Sequence, residues 1–277
     1  MTATRHDAPW LEVDDLTIEV RGTGKRLVDG ISFQLARGER LGIIGESGSG
    51  KSVTSLALLG LLPPTLRASG SARVSGHQVI GVRESELRAV RGGKVALVFQ
   101  DPSTALDPLT RIGALIAEPL RRHRALTGAA AQDAIRQLLQ EVSLPERVLR
   151  AFPHELSGGQ RQRVAIAMAL ACGAETLIAD EPTTALDVTV QAEILGLLRK
   201  LSDERGMALV LVSHDIAVVS ATVDRALVMR YGSIVEEGPI DTIVRSPQHE
   251  YTQRLVAGAR ALDRALTTGT IDTGRTA

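Results

Sequence analysis

The sequence predicts an α/β fold that combines a core of mostly parallel strands with a β-rich N-terminal part and an inserted helical lobe. Residues 11–20 and 31–35 alternate apolar and polar side chains, which is typical of half-buried strands. Short apolar runs at 94–99, 176–179 and 208–212 indicate buried strands. Helical patterns lie between the later runs, and this alternation of strands and helices favours a parallel sheet.

The N-terminal region, residues 10–44, is rich in strand patterns and is punctuated by turns at 21–25 and 37–39. Residues 71–79 predict a further strand, at the edge of a sheet. From about residue 111 to residue 173 the pattern becomes helical. The expected helices lie at 53–59, 112–126, 129–142, 160–171, 188–205 and 216–222, and a hairpin is expected at 226–235.

The chain divides into an N-terminal tail (residues 1–9), one domain (10–266) and a C-terminal tail (267–277). The C-terminal tail is rich in threonine and glycine, which predicts disorder. No internal repeat is visible. A single domain with a sizeable core fits a length of 277 residues.

Charge and composition argue against a nucleic-acid partner. Lysine plus arginine and aspartate plus glutamate each number 32, so no net charge attracts nucleic acid or anionic lipid. Aromatic residues make up only 2% of the chain, which disfavours a base-stacking surface.

The cysteine content and the absence of long apolar segments predict the compartment. Cys172 is the single cysteine, so neither an internal disulfide nor a cysteine-based metal cluster can form. No run approaches the roughly 18 apolar residues of a membrane span, and residues 1–9 lack the apolar segment of a signal peptide. We expect a cytosolic protein whose contact with a membrane depends on a partner.

Residues 45–52 (GESGSGKS) match the phosphate-loop pattern G-x-x-x-x-G-K-[ST] at every fixed position. They lie between the apolar run 40–44 and the helical run 53–59, which is the context that this pattern requires. Backbone N–H groups of such a loop, together with the helix N-terminus, bind phosphate. Lys51 is expected to reach the β- and γ-phosphates and Ser52 to ligate Mg²⁺. The alternative, a flexible Gly/Ser turn before a helix, does not explain the full match.

Two carboxylates follow the predicted strand at 176–179. Asp180 can lie beside Mg²⁺, and Glu181 can lie where a water would attack the γ-phosphate. Alone, such a pair is more often a solvated strand end. A phosphate loop in the same chain makes the functional interpretation much stronger.

Residues 156–160 (LSGGQ) form a second glycine turn at a predicted helix N-terminus. This turn is a candidate anion site, because helix N-termini attract negative charge. A serine N-cap with flexible glycines explains the residues equally well.

His214 follows the predicted central strand at 208–212. A lone histidine at a strand end is more often structural than catalytic. Because ligands bind at the carboxyl ends of such strands, His214 can also donate to the γ-phosphate.

These stretches resemble the ATPase subunits of ABC transporters, and the resemblance covers roughly residues 10–260. It implies a P-loop NTPase core with a mostly parallel sheet, an N-terminal antiparallel β-subdomain and an α-helical subdomain inserted at about 101–173. The cofactors it implies are ATP and Mg²⁺. The matching stretches stand in the family's order at 45–52, 98–102 (VFQDP), 156–160, 177–181, 185–187 (ALD) and 213–215 (SHD).

The resemblance also assigns roles to single residues. It makes Glu181 the catalytic base, His214 the γ-phosphate switch, and Gln100 a catalytic residue that touches Mg²⁺ and water. Ser52, Gln100 and Asp180 are the implied Mg²⁺ ligands. The implied ATP-phosphate contacts are Gly45, Glu46, Ser47, Gly48, Ser49, Gly50, Lys51, Ser52 and Val53.

A head-to-tail pair of ATPase subunits is implied as well. Ser157, Gly158, Gly159 and Gln160 of one subunit would close on the nucleotide held by the other. Asp187 would belong to the contact between the two subunits.

Within the family, the chain is most similar to the dipeptide, oligopeptide and nickel importer branch, through residues 45–53, 100–108, 152–156 and 247–252. This branch implies a subunit that hydrolyses ATP to power uptake of peptides or a related small solute such as nickel or a metal chelate. Its partners would be a second, non-identical ATPase subunit, two transmembrane permeases that dock on the helical lobe, and an extracytoplasmic binding protein. The ATPase subunit itself would be a peripheral protein at the cytoplasmic face of the inner membrane.

The chain departs from its family in two respects. Relatives usually stack adenine on an aromatic side chain near the end of the first strand, whereas no aromatic residue stands between Trp10 and Phe33 here. Val20 or Arg21 occupies the expected place. The cysteine-rich C-terminal extension of many peptide importers is also missing, which slightly favours shorter, nickel-like relatives.

Two other functions are compatible with an ABC ATPase. A soluble ATPase acting on DNA or ribosomes usually has paired ATPase domains or basic extensions, and this chain has one phosphate loop and no net charge. A regulatory subunit that binds ATP without hydrolysis is favoured only by the missing adenine aromatic.

Overall fold

The structure is a computed structural model that describes residues 9–184 and 186–268. Residues 1–8 and 269–277, which make up most of the two expected tails, lie outside the described residues, and so does Ala185.

An antiparallel sheet forms the N-terminal part, as the sequence predicts. Its strands run in the order β2-β1-β4-β5. One expectation is wrong in detail, because residues 71–79 are not a single edge strand. A turn at Ser75 and Gly76, both with positive φ, separates two strands, and β4 pairs with β1 on one side and with the short β5 on the other. The strands are β1 (Leu11–Val20), β2 (Arg26–Leu35), β4 (Leu66–Val74) and β5 (His77–Gln78).

A second, six-stranded sheet forms the centre of the core, in the order β10-β9-β3-β8-β7-β6. All neighbours pair in parallel except β10, which forms an antiparallel hairpin with β9. The carboxyl ends of β3, β7 and β8 therefore meet at one edge. The strands are β3 (Arg40–Ile44), β6 (Val95–Val98), β7 (Thr176–Asp180), β8 (Ala208–Ser213), β9 (Arg225–Arg230) and β10 (Ser233–Pro239).

The helical lobe consists of α3, α4 and α5, which confirms the expected insertion. The helices are α1 (Lys51–Leu58), α2 (Glu84–Val90), α3 (Ile112–Arg124), α4 (Gly128–Glu141), α5 (Gly158–Ala171), α6 (Val188–Arg205), α7 (Ile216–Ser220), α8 (Ile240–Arg245) and α9 (Glu250–Thr268). The sequence did not predict α2, α8 or α9. In the described part of the chain, every helix is too short or too polar to cross a membrane.

Strands β7 and β8 of the central sheet are buried on both faces, which explains why they are nearly continuous apolar runs. Leu209 and Leu211 of β8 belong to the core that continues into the helical lobe. Val210 and Val212 face the opposite way, into the core beneath the N-terminal sheet. Because successive side chains of a strand alternate between faces, one strand supplies both cores. The ends of these rigid strands then hold the loops of the candidate site.

Candidate active site

The phosphate loop connects β3 to α1, and its backbone path requires glycine. A Cβ on Gly45 would lie 2.3 Å from the Met229 carbonyl oxygen. Gly50 has φ +105°, and a Cβ there would lie 2.8 Å from the Leu27 carbonyl oxygen. An L side chain rarely adopts such a φ, and neither backbone oxygen can move aside. Glycine is therefore required at positions 45 and 50 by the backbone path of the loop. A flexible turn would not impose this requirement.

Lys51, the first residue of α1, points back into the loop and is only 4% exposed. Its Nζ donates hydrogen bonds to the carbonyl oxygens of Gly45 at 2.7 Å and Glu46 at 2.8 Å. Burial lowers the pKa of the Lys51 ammonium, and the nearby charges of Glu181 and Asp180 oppose this shift. The cation thus lies inside the loop, where the sequence pattern places phosphate oxygens.

The next residue, Ser52, meets the end of β7. Its Oγ donates to Asp180 Oδ1 at 3.2 Å. Burial raises the pKa of the Asp180 carboxyl, and the hydrogen bond from Ser52 opposes this rise. One carboxylate beside one hydroxyl is a donor set that suits Mg²⁺, which binds proteins through one or two carboxylates and takes further oxygens from phosphates and water.

Glu181 is held in a defined orientation at the carboxyl end of β7. Its φ of +47° is uncommon for a residue other than glycine, and its N–H donates to the Val212 carbonyl at 2.9 Å. The side chain is 16% exposed. Thr184 Oγ1 donates to Glu181 Oε2 at 3.0 Å, and His214 Nδ1 lies 3.2 Å from Oε1. A strained backbone with both carboxylate oxygens contacted is typical of a functional position.

The sheet register explains why Glu181 and His214 meet. In the pairing of β7 with β8, Asp180 lies opposite Val212. The residues just beyond this pair therefore emerge at the same edge. The sequence predicted both residues for this edge, and the structure brings them together.

Lys51, Ser52, Glu181 and His214 all line one cavity of about 570 Å³. Gln100 is exposed and also lines the cavity. Leu27 of β2 is part of the lining, whereas Val20 and Arg21, which the sequence suggested for adenine, are not. Arg21 Nε instead donates to the Leu66 carbonyl at 3.1 Å. The lining consists of Leu27, Glu46, Ser47, Gly48, Gly50, Lys51, Ser52, Val53, Gln100, Glu181 and His214.

The LSGGQ stretch is the N-terminus of α5, and the N-cap that the sequence allowed is present. Ser157 Oγ accepts from the Gln160 N–H at 3.3 Å, and Gln160 Oε1 accepts from the Ser157 N–H at 3.1 Å. Ser157 is exposed. Gly158 lines a separate cavity of about 310 Å³, together with Gln100. A Cβ on Gly159 would lie 2.6 Å from Val190 Cγ1, so α6 packs tightly against this helix. A role on a second subunit's nucleotide stays a prediction.

Asp187 is likewise a helix cap. Its Oδ1 accepts from the Val190 N–H at 3.0 Å at the start of α6, and the residue is exposed. Ala185, two residues before it, lies outside the described residues. The expected contact with a second subunit also stays a prediction.

Three residues of the site were missed by sequence reasoning. Thr184 orients Glu181, and the short spacing of the two residues could have suggested this. Leu27 lines the cavity from β2, and no local pattern indicates it. Tyr251 lies in a stretch noted for its resemblance, yet its contact with the Glu46 N–H depends on the folded chain.

Comparisons with known proteins point to one family. A family model described as "ABC transporter" matches residues 28–184. A Brucella abortus (strain 2308) protein, named provisionally as a peptide import ATP-binding protein, is 48% identical over 95% of this chain and 81% of its own length. The oligopeptide transport ATP-binding protein OppD of Bacillus subtilis (strain 168) is 44% identical over 91% of this chain and 72% of its own length.

Solved structures show the same fold. An ATP-binding cassette in a dimeric, post-hydrolysis state bound to ADP and Pi superposes with a TM-score of 0.73 and 31% identity, covering 83% of this chain and 98% of that one. CbiO1 from Clostridium perfringens, part of the ABC transporter complex CbiONQ, gives a TM-score of 0.77 and 25% identity, covering 93% of this chain and all of that one.

Proposed function

This chain belongs to the ABC transporter family and is an ATPase of that family, and we propose that it powers an importer of peptides or a related small solute. The observation that carries the proposal is that the phosphate loop, Glu181, His214 and Gln100 line one cavity, an arrangement that suits the ATP hydrolysis that would power import. The names of relatives at 44–48% identity supply the solute class, since they are peptide, oligopeptide and dipeptide transport proteins. Such names give no support to a role on DNA or ribosomes.

In this proposal the phosphate loop and Lys51 hold the ATP phosphates. Glu181 accepts a proton from the attacking water, while Thr184 and His214 keep its carboxylate in place. His214, half exposed at the cavity, also donates to the γ-phosphate. Phosphoryl transfer needs mainly positioning and charge stabilisation, and this set of residues supplies both.

The Mg²⁺ site is proposed at the end of β7. Ser52 and Asp180 would hold the ion, and Gln100 would approach from the cavity wall. The ion would neutralise charge that develops on the phosphate oxygens. The raised pKa of Asp180 fits this assignment, because a buried carboxylate without a cation is costly.

A second ATPase subunit would complete the catalyst. Ser157, Gly158, Gly159 and Gln160 would bind the nucleotide held by the partner subunit, and Asp187 would lie in the contact between the subunits. Two observations support this assignment: Ser157 and Asp187 are exposed, and a similar cassette is known in a dimeric state bound to ADP and Pi.

The permeases would dock in a groove of about 740 Å³ between the core and the helical lobe. Its lining includes Leu61 and Phe99, which are 39% and 38% exposed, and Met168 of α5. The groove is also lined by charged residues of both signs, in the pairs Arg88–Glu84 and Arg122–Glu118. The groove suits a short amphipathic helix of a permease. Docking there would place the subunit at the cytoplasmic face of the membrane.

The test is ATP hydrolysis by the complete transporter in lipid vesicles, with the binding protein in the lumen and this subunit outside. We expect the peptide-loaded binding protein to stimulate hydrolysis several-fold, whereas the empty binding protein does not. Stimulation by nickel alone would move the assignment to a metal importer. No response to either solute would overturn the proposed import function.

A second test addresses the phosphate loop itself. Lys51→Ala should weaken ATP binding at least tenfold, because it removes the buried cation. Lys200→Ala is the matched control, since Lys200 is a solvent-exposed lysine on α6 paired only at 3.8 Å with Glu204. Equal affinity in both variants would exclude the loop as the phosphate site.

A further inference from the structure

The C-terminal helix α9 meets the phosphate loop through one hydrogen bond. The hydroxyl of Tyr251 accepts from the backbone N–H of Glu46 at 2.8 Å, across 205 residues of sequence. Tyr251 is only 2% exposed, although its ring carries a polar group. A buried tyrosine hydroxyl normally has a specific partner, and here that partner is the second residue of the loop.

Several contacts fix Tyr251 in this position. Arg230, at the end of β9, places its guanidinium carbon 5.0 Å from the Tyr251 ring centroid. The Glu236 carboxylate on β10 accepts from the N–H groups of Gln248 at 2.9 Å and His249 at 3.0 Å. His249 Nδ1 then accepts from the Tyr251 N–H at 3.1 Å. The start of α9 is thereby fastened to the β9–β10 hairpin.

The hydrogen bond from the Glu46 N–H to Tyr251 is one of two that hold the Glu46 backbone in place. The Glu46 carbonyl accepts from Lys51 Nζ, and its N–H donates to Tyr251. Both backbone polar groups of this residue are therefore satisfied within the chain, and the entry of the loop has one defined orientation. A loop whose entry is already fixed loses less conformational entropy when a ligand binds.

We propose that Tyr251 is a positioning residue for nucleotide binding: its hydroxyl, held by the hairpin, fixes the entry of the phosphate loop. Tyr251 touches the loop backbone, so its effect on the phosphates acts through Glu46. The same bond makes the stability of the start of α9 and the affinity for ATP interdependent. This inference rests on the proposed role of residues 45–52 as the phosphate site.

Tyr251→Phe is the variant that separates positioning from packing. It keeps the buried ring and its contact with Arg230, and it removes only the acceptor of the Glu46 N–H. Tyr231→Phe is the matched control, because Tyr231 is 81% exposed and its ring lies 4.7 Å from the same guanidinium. Both variants lose one phenolic oxygen.

Two measurements on the full chain test the proposal. Calorimetric titration with ATP and Mg²⁺ should show affinity about three- to tenfold weaker for Tyr251→Phe, which is the effect of one ordinary hydrogen bond. Amide hydrogen exchange should become faster at Glu46 in the same variant. Tyr231→Phe should match the parent protein in both measurements. Equal affinity and equal exchange in all three proteins would overturn the positioning role.

The variant Lys51→Ala separates this inference from the proposed site. If Lys51→Ala loses ATP binding while Tyr251→Phe keeps the parental affinity, the phosphate site stands and the positioning role is wrong. If Lys51→Ala keeps parental affinity, the site assignment fails before Tyr251 is considered. Faster exchange at Glu46 with unchanged ATP affinity would also reject the role, because the bond would then serve only the fold.

Discussion

Glu181→Gln tests the chemistry of the site most directly. The amide has almost the same shape as the carboxylate, so its oxygen can still accept from Thr184 Oγ1, which donates to Glu181 at 3.0 Å. The variant loses the negative charge and the ability to take a proton. Folding and the shape of the cavity should therefore be preserved, and the chemical step should be damaged.

The size of the effect follows from the role of a general base. Such a group contributes about 10²- to 10⁴-fold to a rate, or roughly 2.7–5.4 kcal/mol of activation free energy. ATP binding should not weaken, since the variant removes one negative charge from the lining of the cavity that contains the phosphate loop. Repulsion between the cavity and the phosphates therefore falls. We expect hydrolysis to decrease at least 100-fold while ATP affinity stays equal or improves.

The assay is single-turnover phosphate release with labelled ATP, combined with equilibrium binding of the same nucleotide. Glu204→Gln is the control, because it makes the same chemical change at an exposed position on α6. A decrease of less than about tenfold would falsify the assignment of Glu181 as the base. Weaker ATP binding than in the control would show that the carboxylate serves the fold of the loop instead.

Three further expectations concern neighbouring groups. Thr184→Val removes the hydroxyl that orients Glu181, so phosphate release should slow about tenfold or more, while Thr184→Ser should stay near the parental rate. Asp180→Asn should raise the melting temperature of the nucleotide-free protein. Burial raises the pKa of Asp180, so the folded state loses stability when this carboxyl ionises, as the pH rises through the raised pKa. In calorimetric scans the gain should be largest at neutral pH and vanish below about pH 4, and its absence at neutral pH would contradict the burial argument. Ser157→Asp keeps an N-cap acceptor for the Gln160 N–H and adds a negative charge. The variant should melt within a few degrees of the parent but hydrolyse ATP far more slowly, and normal hydrolysis would remove Ser157 from the catalyst.

The phosphate loop could be placed from sequence because its glycines occur at fixed spacing between a strand and a helix. The structure confirms the strand β3 and starts α1 at Lys51. Helix α6 was predicted with its observed bounds, Val188–Arg205. Asp187 caps its first turn, and Gly206 ends it in the left-handed conformation. Helix caps and phosphate loops depend on residues that are adjacent in the chain, so a single sequence is enough to predict them.

Contacts between distant segments could not be predicted in the same way. The pairing of Asp180 with Val212 fixes which side chains meet beyond the two strands, and only the sheet order reveals it. Helix α9 was missed although Thr252, Val256 and Ala259 follow a helical spacing that could have indicated it. Its hydrogen bond to Glu46 has no sequence signal at all, because a tyrosine hydroxyl accepts equally well from any nearby donor.

The two explanations of the LSGGQ turn, helix cap and anion site, are chemically compatible. As the N-cap, Ser157 Oγ uses one lone pair to accept from the Gln160 N–H. A serine hydroxyl also has a proton to donate, and the cap does not use it. The cap fixes the oxygen at an exposed position, and its proton can donate to an anion at the helix N-terminus. The cap that explains the residue within one subunit is thus compatible with the proposed role of Ser157 on phosphate held by another subunit.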